Sequence, residues 1–183
     1  MSKQTHRWKG YVLGAIGGIA GILAMRQYWK TVTAVVGHDP RRVEQEDQEP
    51  QPLDDISLLG KNFKQGESTT AALGRILYTR LAGEEPNQQT KTALSYIIHW
   101  VISVDASGTY GMLRGPATFP DPVGGTALAV GLWLFGDELF MPLVGLAKGP
   151  TAYPAELHAH ALGAHLAYGL ASAAATQFLH ILF

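Results

Sequence analysis

Four long apolar runs, at residues 10–36, 92–112, 124–147 and 154–183, are separated by polar connections in a chain of 183 residues. A hydrocarbon layer about 30 Å thick takes roughly 20 mostly apolar residues at about 1.5 Å rise per residue, and each run reaches that length. The pattern predicts an all-α, polytopic membrane protein with four transmembrane helices. Gly115, Pro116, Pro120, Pro122 and Gly124 make the connection between the second and third spans short and stiff, and Gly149, Pro150 and Pro154 do the same before the fourth. Short connections force antiparallel neighbours, so the expected architecture is a single membrane domain, an up-down-up-down bundle. Pro154 suits the first turn of the last helix, where its missing N–H costs nothing, and Glu156 suits the positive end of the dipole.

The polar connection 37–91 contains one more element. Leu73, Ile76, Leu77 and Leu81 recur at helical spacing, Ser68 is placed as an N-cap, and Gly83 and Pro86 end the run. A short amphipathic helix over about 68–81, lying in the membrane interface, is expected. Before it, residues 37–65 are rich in Glu, Asp, Gln and Pro, with the run Glu44, Glu46, Asp47 and Glu49 followed by Pro50 and Pro52, and read as an extended or disordered linker. In the first span, Gly10, Gly14 and Gly18 repeat every four residues, with Gly17 and Gly21 on an adjacent line. That is a face for close helix packing.

Lys and Arg number 14 and Asp and Glu 15, which alone would suit a soluble domain. Ten of those acids and seven of those bases lie between Gly37 and Lys91, so the average conceals the segregation. There is no cysteine, which excludes disulfides, thiolate metal sites and cysteine nucleophiles. Lys3, Arg7 and Lys9 precede the first span as in a signal peptide, but the apolar stretch is too long for one and no small-residue cleavage site follows, so a retained helix is expected. Lys3, Arg7, Lys9 and Arg114 oppose Arg41, Arg42, Arg75, Arg80, Lys91 and Lys148 across the bilayer; the first group sits close against a span, and both termini are expected to be cytoplasmic. A nucleotide enzyme is disfavoured, because Gly14, Gly17 and Gly18 follow no strand and no Gly-Lys-Ser/Thr occurs.

Ionisable side chains at bilayer depth cost roughly 2.5–3.5 kcal/mol on insertion scales, so each needs a partner or a purpose. Measured from Val36, Lys91, Ala147 and Pro154 at about 1.5 Å per residue, Arg26, His99, Asp137, Glu138 and His165 fall about 12–16 Å in, while Asp105 lies deeper. The expected candidate site is a midplane cluster of Arg26, His99, Asp137, Glu138 and His165. Pro142 leaves the Glu138 carbonyl without its usual donor, which makes that spot polar and open to kinking. The cluster has a structural reading, a buried network fixing helix register, and three functional ones. These are a proton or ion path, a metal site of His99, Glu138 and His165, and a haem held by His99 and His165. The paired Glu-x-x-His spacing of di-iron bundles is absent. No cofactor is predicted, and metal and haem stand as alternatives.

The expected function is that of an accessory or structural membrane component, a subunit of a larger assembly, with no enzymatic site. The alternative is a proton-coupled or metal-handling membrane protein that uses the midplane cluster. The expected partners are the lipid bilayer and other membrane subunits or a second copy of the chain, and no nucleic acid.

Pro142-Leu-Val-Gly145-Leu146, Gly149-Pro150, Pro154 and His165-Leu166-Ala-Tyr168-Gly169 in the last two spans, Ser95-Tyr-Ile-Ile-His99-Trp-Val-Ile-Ser103 and Tyr110-Gly111 in the second, and a glycine-rich first helix before a long polar connection together resemble the YagU-like family of small bacterial inner-membrane proteins. The resemblance implies a bacterial inner-membrane location and, the family being largely uncharacterised, no reaction or cofactor. The chain lacks a basic tail after its last span.

Overall fold

Glycine at every fourth position lets the first helix meet its neighbours backbone to backbone, and the helix arrangement follows from it. The computed structural model of the chain describes residues 3–42, 51–117 and 119–183; the run Glu44, Glu46, Asp47, Glu49 and Pro50 lies outside the described residues. Among the described residues every regular element is a helix. These are α1 (Lys3–Val36), α2 (Thr69–Ala82), α3 (Gln88–Arg114), α4 (Pro122–Gly131), a π-helical stretch (Leu132–Phe140), α5 (Met141–Leu143) and α6 (Ala155–Leu182), with 3-10 turns at Pro40–Arg42 and Pro150–Ala152. Two runs among them, His6–Val36 and Pro122–Leu143, are long and apolar enough to cross a membrane. α3 and α6 have the length, 27 and 28 residues. Their polar content, with Lys91, His99 and Asp105 on one and four histidines and Gln177 on the other, keeps them below that mark.

The chain divides into two units. The first comprises Met1–Arg41, Ile102–Trp133 and Glu156–Phe183. Here the two glycine lines of α1 face different helices. A Cβ on Gly10 would lie 2.5 Å from the Gly111 carbonyl oxygen, one on Gly14 would meet Ser107 and Gly111, and one on Gly18 would lie 2.9 Å from the Ser107 Cβ. Numbers rise on α1 as they fall on α3, so the pair is antiparallel. Gly17 and Gly21 abut Ser172, Thr176 and Tyr168 of α6, again antiparallel, and Gly125 of α4 abuts Gly169 and Ala173 of α6.

The interior of this unit is filled largely by small and polar residues, with Leu13 and Ile22 of α1 alongside them. Ser103, Ser107, Ser172, Thr176 and Gln177 are buried, as are Tyr168 and several alanines. Trp8, Val12, Ile16, Ile19 and Leu23 of α1 and Leu170, Phe178 and Ile181 of α6 are exposed. Ile16 keeps 48 % of its surface open.

The second unit comprises Arg42–Val101 and Leu134–Ala155. Ser68 caps α2, its hydroxyl accepting from the Ala71 N–H at 3.3 Å, and Gly83 ends it in the left-handed region at φ 77°. Of its residues Ala71, Ala72 and Gly74 are buried, while Leu77 and Leu81 of the apolar stripe are exposed. Small residues allow the closer approach: a Cβ on Gly74 would lie 2.9 Å from the Leu94 Cβ.

The third predicted span was expected to run to Ala147, but α5 ends at Leu143. Gly145, at φ 76°, turns the chain, and its N–H bonds the Pro142 carbonyl at 3.0 Å. Ahead of Pro142 the hydrogen-bonding frame widens to the π pattern, which suits a residue that cannot donate to the carbonyl four back. Residues 53–62, read from composition as part of a linker, instead strap the turn that follows α5. The Leu58 N–H donates to the Leu143 carbonyl at 2.9 Å, the Asn62 N–H to Gly145 at 2.7 Å, and the Gly149 N–H to Asp54 at 2.8 Å. The Thr151 hydroxyl adds a bond to the Asp54 carboxylate at 2.7 Å. Carbonyls orphaned by the helix end thereby find donors that composition did not reveal.

Gly14→Ala will destabilise the protein by about 1–3 kcal/mol, because the new methyl meets backbone that has no rotamer to give way. Gly131→Ala, where nothing lies within 4 Å of the added carbon, will be neutral or stabilising by up to about 1 kcal/mol. Reversible unfolding in mixed mild-detergent and dodecyl sulfate micelles distinguishes the two; equal losses would show that the glycine seam is not what holds α1.

Candidate functional site

The five residues expected to form a midplane cluster are divided between the units. Arg26 and His165 belong to the first, and His99, Asp137 and Glu138 to the second. Arg26 and Asp137 are exposed, and His99, Glu138 and His165 are partly exposed. Within the first unit the register of Gly21 against Tyr168 and Ser172, and of Tyr28 against Gly163, brings Arg26 level with His165. The His165 Nδ1 lies 2.9 Å from the Ala161 carbonyl one turn back, a local bond that holds the ring along its own helix. Because the helix ends at Leu143 rather than Ala147, Asp137 and Glu138 sit about 8–9 Å from that end. Among the described residues no three His, Asp or Glu side chains group closely enough to hold a metal ion.

What the first unit does gather is a cluster of different composition. The Tyr28 hydroxyl lies 3.3 Å from His160 Nδ1, and His160 Nε2 lies 3.6 Å from the Glu156 carboxylate one turn earlier. Trp29 stands edge-on to Tyr28, with centroids 5.8 Å apart, and the Arg41 guanidinium lies 4.9 Å over the Trp29 ring. Asp39 grips Arg41 with bonds of 2.9 and 2.8 Å. Gly163 makes room for Tyr28, since a Cβ there would run into its hydroxyl. At the other end of α1, Trp8 stacks on Tyr11 at 5.5 Å, and the Tyr11 hydroxyl donates to Asp105 at 2.8 Å. Tyr28, His160 and Glu156 thus form a line of three titratable side chains within the first unit. Helical periodicity hides it, because His160 points away from the face shared by His158 and His165.

Two buried carboxylates anchor the connections. Asp121, 2 % exposed, is the N-cap of α4, accepting from the Gly124 N–H at 3.0 Å. It takes a bidentate pair of bonds from Arg114 at 2.7 and 3.1 Å and one from the Tyr110 hydroxyl at 2.8 Å. Gln177 extends the network, donating to Tyr110 at 3.3 Å and to the Gly115 carbonyl at 3.0 Å, and accepting from the Ala117 N–H at 2.7 Å. The Arg114 guanidinium, against the opposing effect of burial and with help from the Gly124 N–H and Tyr110, holds the Asp121 carboxyl down at about 2. In the second unit, burial alone would raise Glu67. Arg75 at 3.0 Å, the Lys64 N–H at 2.9 Å and Lys91 at 3.0 Å bring it down to about 2 instead. Neither carboxylate has a bond to spare, so both read as structural nodes. Asp121 was findable, since Asp before Pro is an N-cap followed by a first-turn proline; nothing local marks Glu67 or Gln177.

The second unit also has an apolar groove of about 390 Å³ between α2 and α3, lined by Gly74, Leu77, Tyr78, Leu81, Leu94 and Ile98. No protein-family model, curated protein or solved structure matches the chain.

A carboxyl held below its ordinary value contributes stability above the unfolded-state value, and that contribution is lost as pH falls through the folded one. Stability will therefore decline between about pH 4 and pH 2 as Asp121 is protonated. Asp121→Asn, which keeps an N-capping oxygen but not the charge, will be less stable at pH 7 and will lose this part of the acid slope. Chemical unfolding followed from pH 7 to pH 2 checks it, and an unchanged slope in the variant would remove Asp121 as the source.

Proposed function

We propose that the chain is a four-span protein of the bacterial inner membrane, with both termini cytoplasmic, that serves as an accessory or structural component within a larger membrane assembly. The observation that carries the reading is the row Val12, Ile16, Ile19 and Leu23 left exposed on α1 while mostly small and polar residues fill the interior of the first unit. In water, Val12, Ile16, Ile19 and Leu23 would be driven inward, whereas in lipid they gain nothing by leaving the hydrocarbon, and small residues hold the helices together. Two apolar helices able to cross a membrane and the aromatic pairs at the two ends of α1 support it. Trp8 and Trp29 are separated by about 31 Å of helix, close to the thickness of a hydrocarbon core. The resemblance of the spans to the YagU-like family supports the inner-membrane location.

The absence of cysteine permits a clean test. Single cysteines at Ile16 and Ile19 will resist a water-soluble maleimide in open membrane fragments and react after denaturation, while one at Leu59 will react at once. Modification of all three at similar rates would show that no lipid covers α1. Native mass spectrometry of protein released from its own membrane will show a second polypeptide if the assembly role is right.

The proton-coupled reading rests on the line Tyr28, His160 and Glu156. In liposomes, a proton flux carried by the wild type and lost in His160→Gln would favour it; a wild type that carries none would dismiss it.

A further inference from the structure

The exposed face of α1 is continuous and changes character once. Trp8, Val12, Ile16, Ile19, Leu23, Arg26 and Lys30 follow one another at spacings of three or four residues, and each is exposed. The first five are apolar and the last two are cations one turn apart. Among the described residues, Arg26 and Lys30 form no ion pair or hydrogen bond, although nearby Arg41 is held by Asp39 and lies over Trp29. Gln27, between the two cations, is exposed as well, and Tyr28 and Trp29 flank them at the level where aromatic side chains mark a membrane interface.

Resting on the membrane-spanning reading above, we infer that this face is a binding site for an acidic glycerophospholipid, its phosphate between Arg26 and Lys30 and its acyl chain along Leu23, Ile19 and Ile16. Charge selects the occupant. Two unpaired cations stacked on one helix face match a phosphodiester that brings a net negative charge, whereas a zwitterionic headgroup carries its own ammonium and neutralises part of the attraction. Length agrees: from Arg26 to Ile16 the helix rises about 15 Å, the depth of one leaflet of a hydrocarbon core about 30 Å thick. Arg26 and Lys30 have the stems to lift their charged ends to the headgroups while the methylenes stay against lipid. On this reading the exposed Arg26, expected from the sequence in a midplane network, serves the membrane surface.

The test uses the full chain in a mild detergent, titrated with palmitoyl-oleoyl phosphatidylglycerol or the matching phosphatidylcholine and read by native mass spectrometry. The wild type will retain phosphatidylglycerol in preference to phosphatidylcholine. Arg26→Gln and Lys30→Gln will each weaken phosphatidylglycerol retention about fivefold, and the double variant will hold the two lipids alike. Arg80→Gln, which neutralises an exposed cation on α2, will leave the preference unchanged. Equal retention of the two lipids by the wild type, or a preference that survives in the double variant, overturns the inference. Maleimide protection of a single cysteine at Ile16 is measured in parallel in open membrane fragments. Protection without lipid preference sinks the headgroup site alone, whereas loss of protection sinks the membrane reading with it.

Discussion

Backbone contact between helices is the constraint on which the first unit depends. Gly10, Gly14 and Gly18 give α1 a side with no side chains, and α3 answers with Gly111, Ser107 and Ser103. Two helices so close leave no space for branched residues at the contact, and Val12, Ile16, Ile19 and Leu23 of α1 lie outside it, while Leu13 and Ile22 are buried. The second line, Gly17 and Gly21, does the same against α6, so α1 is held from two directions by its smallest residues. On the proposed membrane-spanning reading, dispersion over many short contacts, rather than withdrawal of apolar surface from water, is the attraction between helices.

Charge is handled differently at the ends of the helices. Asp121 is filled by Arg114, the Tyr110 hydroxyl and the Gly124 N–H, Glu67 by Arg75, Lys91 and the Lys64 N–H, and each belongs to a connection rather than to the middle of an apolar run. A buried carboxylate is tolerable when its oxygens are filled, and removing one cation would leave an uncompensated charge. Their placement fixes two connections: Asp121 sets where α4 begins, and Glu67 ties the entry of α2 to the first turn of α3 through Arg75 and Lys91.

Much of the helical layout was legible because it rests on local chemistry. Ser68 and Gly83 bound α2 by capping rules that act within a few residues, and the glycine lines of α1 follow from a four-residue period. What stayed hidden depends on partners distant in the sequence. Leu73, Ile76, Leu77 and Leu81 form a visible apolar stripe, but the packing of α2 through Ala71, Ala72 and Gly74 against Leu94 needs a partner that the stripe does not name. The end of the third run was set four residues too late because the apolar character of Val144, Leu146 and Ala147 says nothing of the turn that Gly145 makes. Depth counted from Ala147 places Asp137 and Glu138 about 6 Å deeper than the same count from Leu143, where the helix ends. The pairing of Tyr28 with His160 needs the register of α1 against α6, which neither helix encodes alone.

The strap formed by residues 53–62 also imposes an order on biosynthesis. Leu58 bonds Leu143 and Asn62 bonds Gly145, so the early partner of each pair leaves the ribosome more than 80 residues before the late one. At about 5–20 residues per second the gap is roughly 4–17 s. For that interval the segment has donors and leucines but nothing to receive them, and translation of the third apolar run must be finished before it can settle. The connection after the first helix is thus among the earliest parts of the chain to be made and among the last to acquire its contacts.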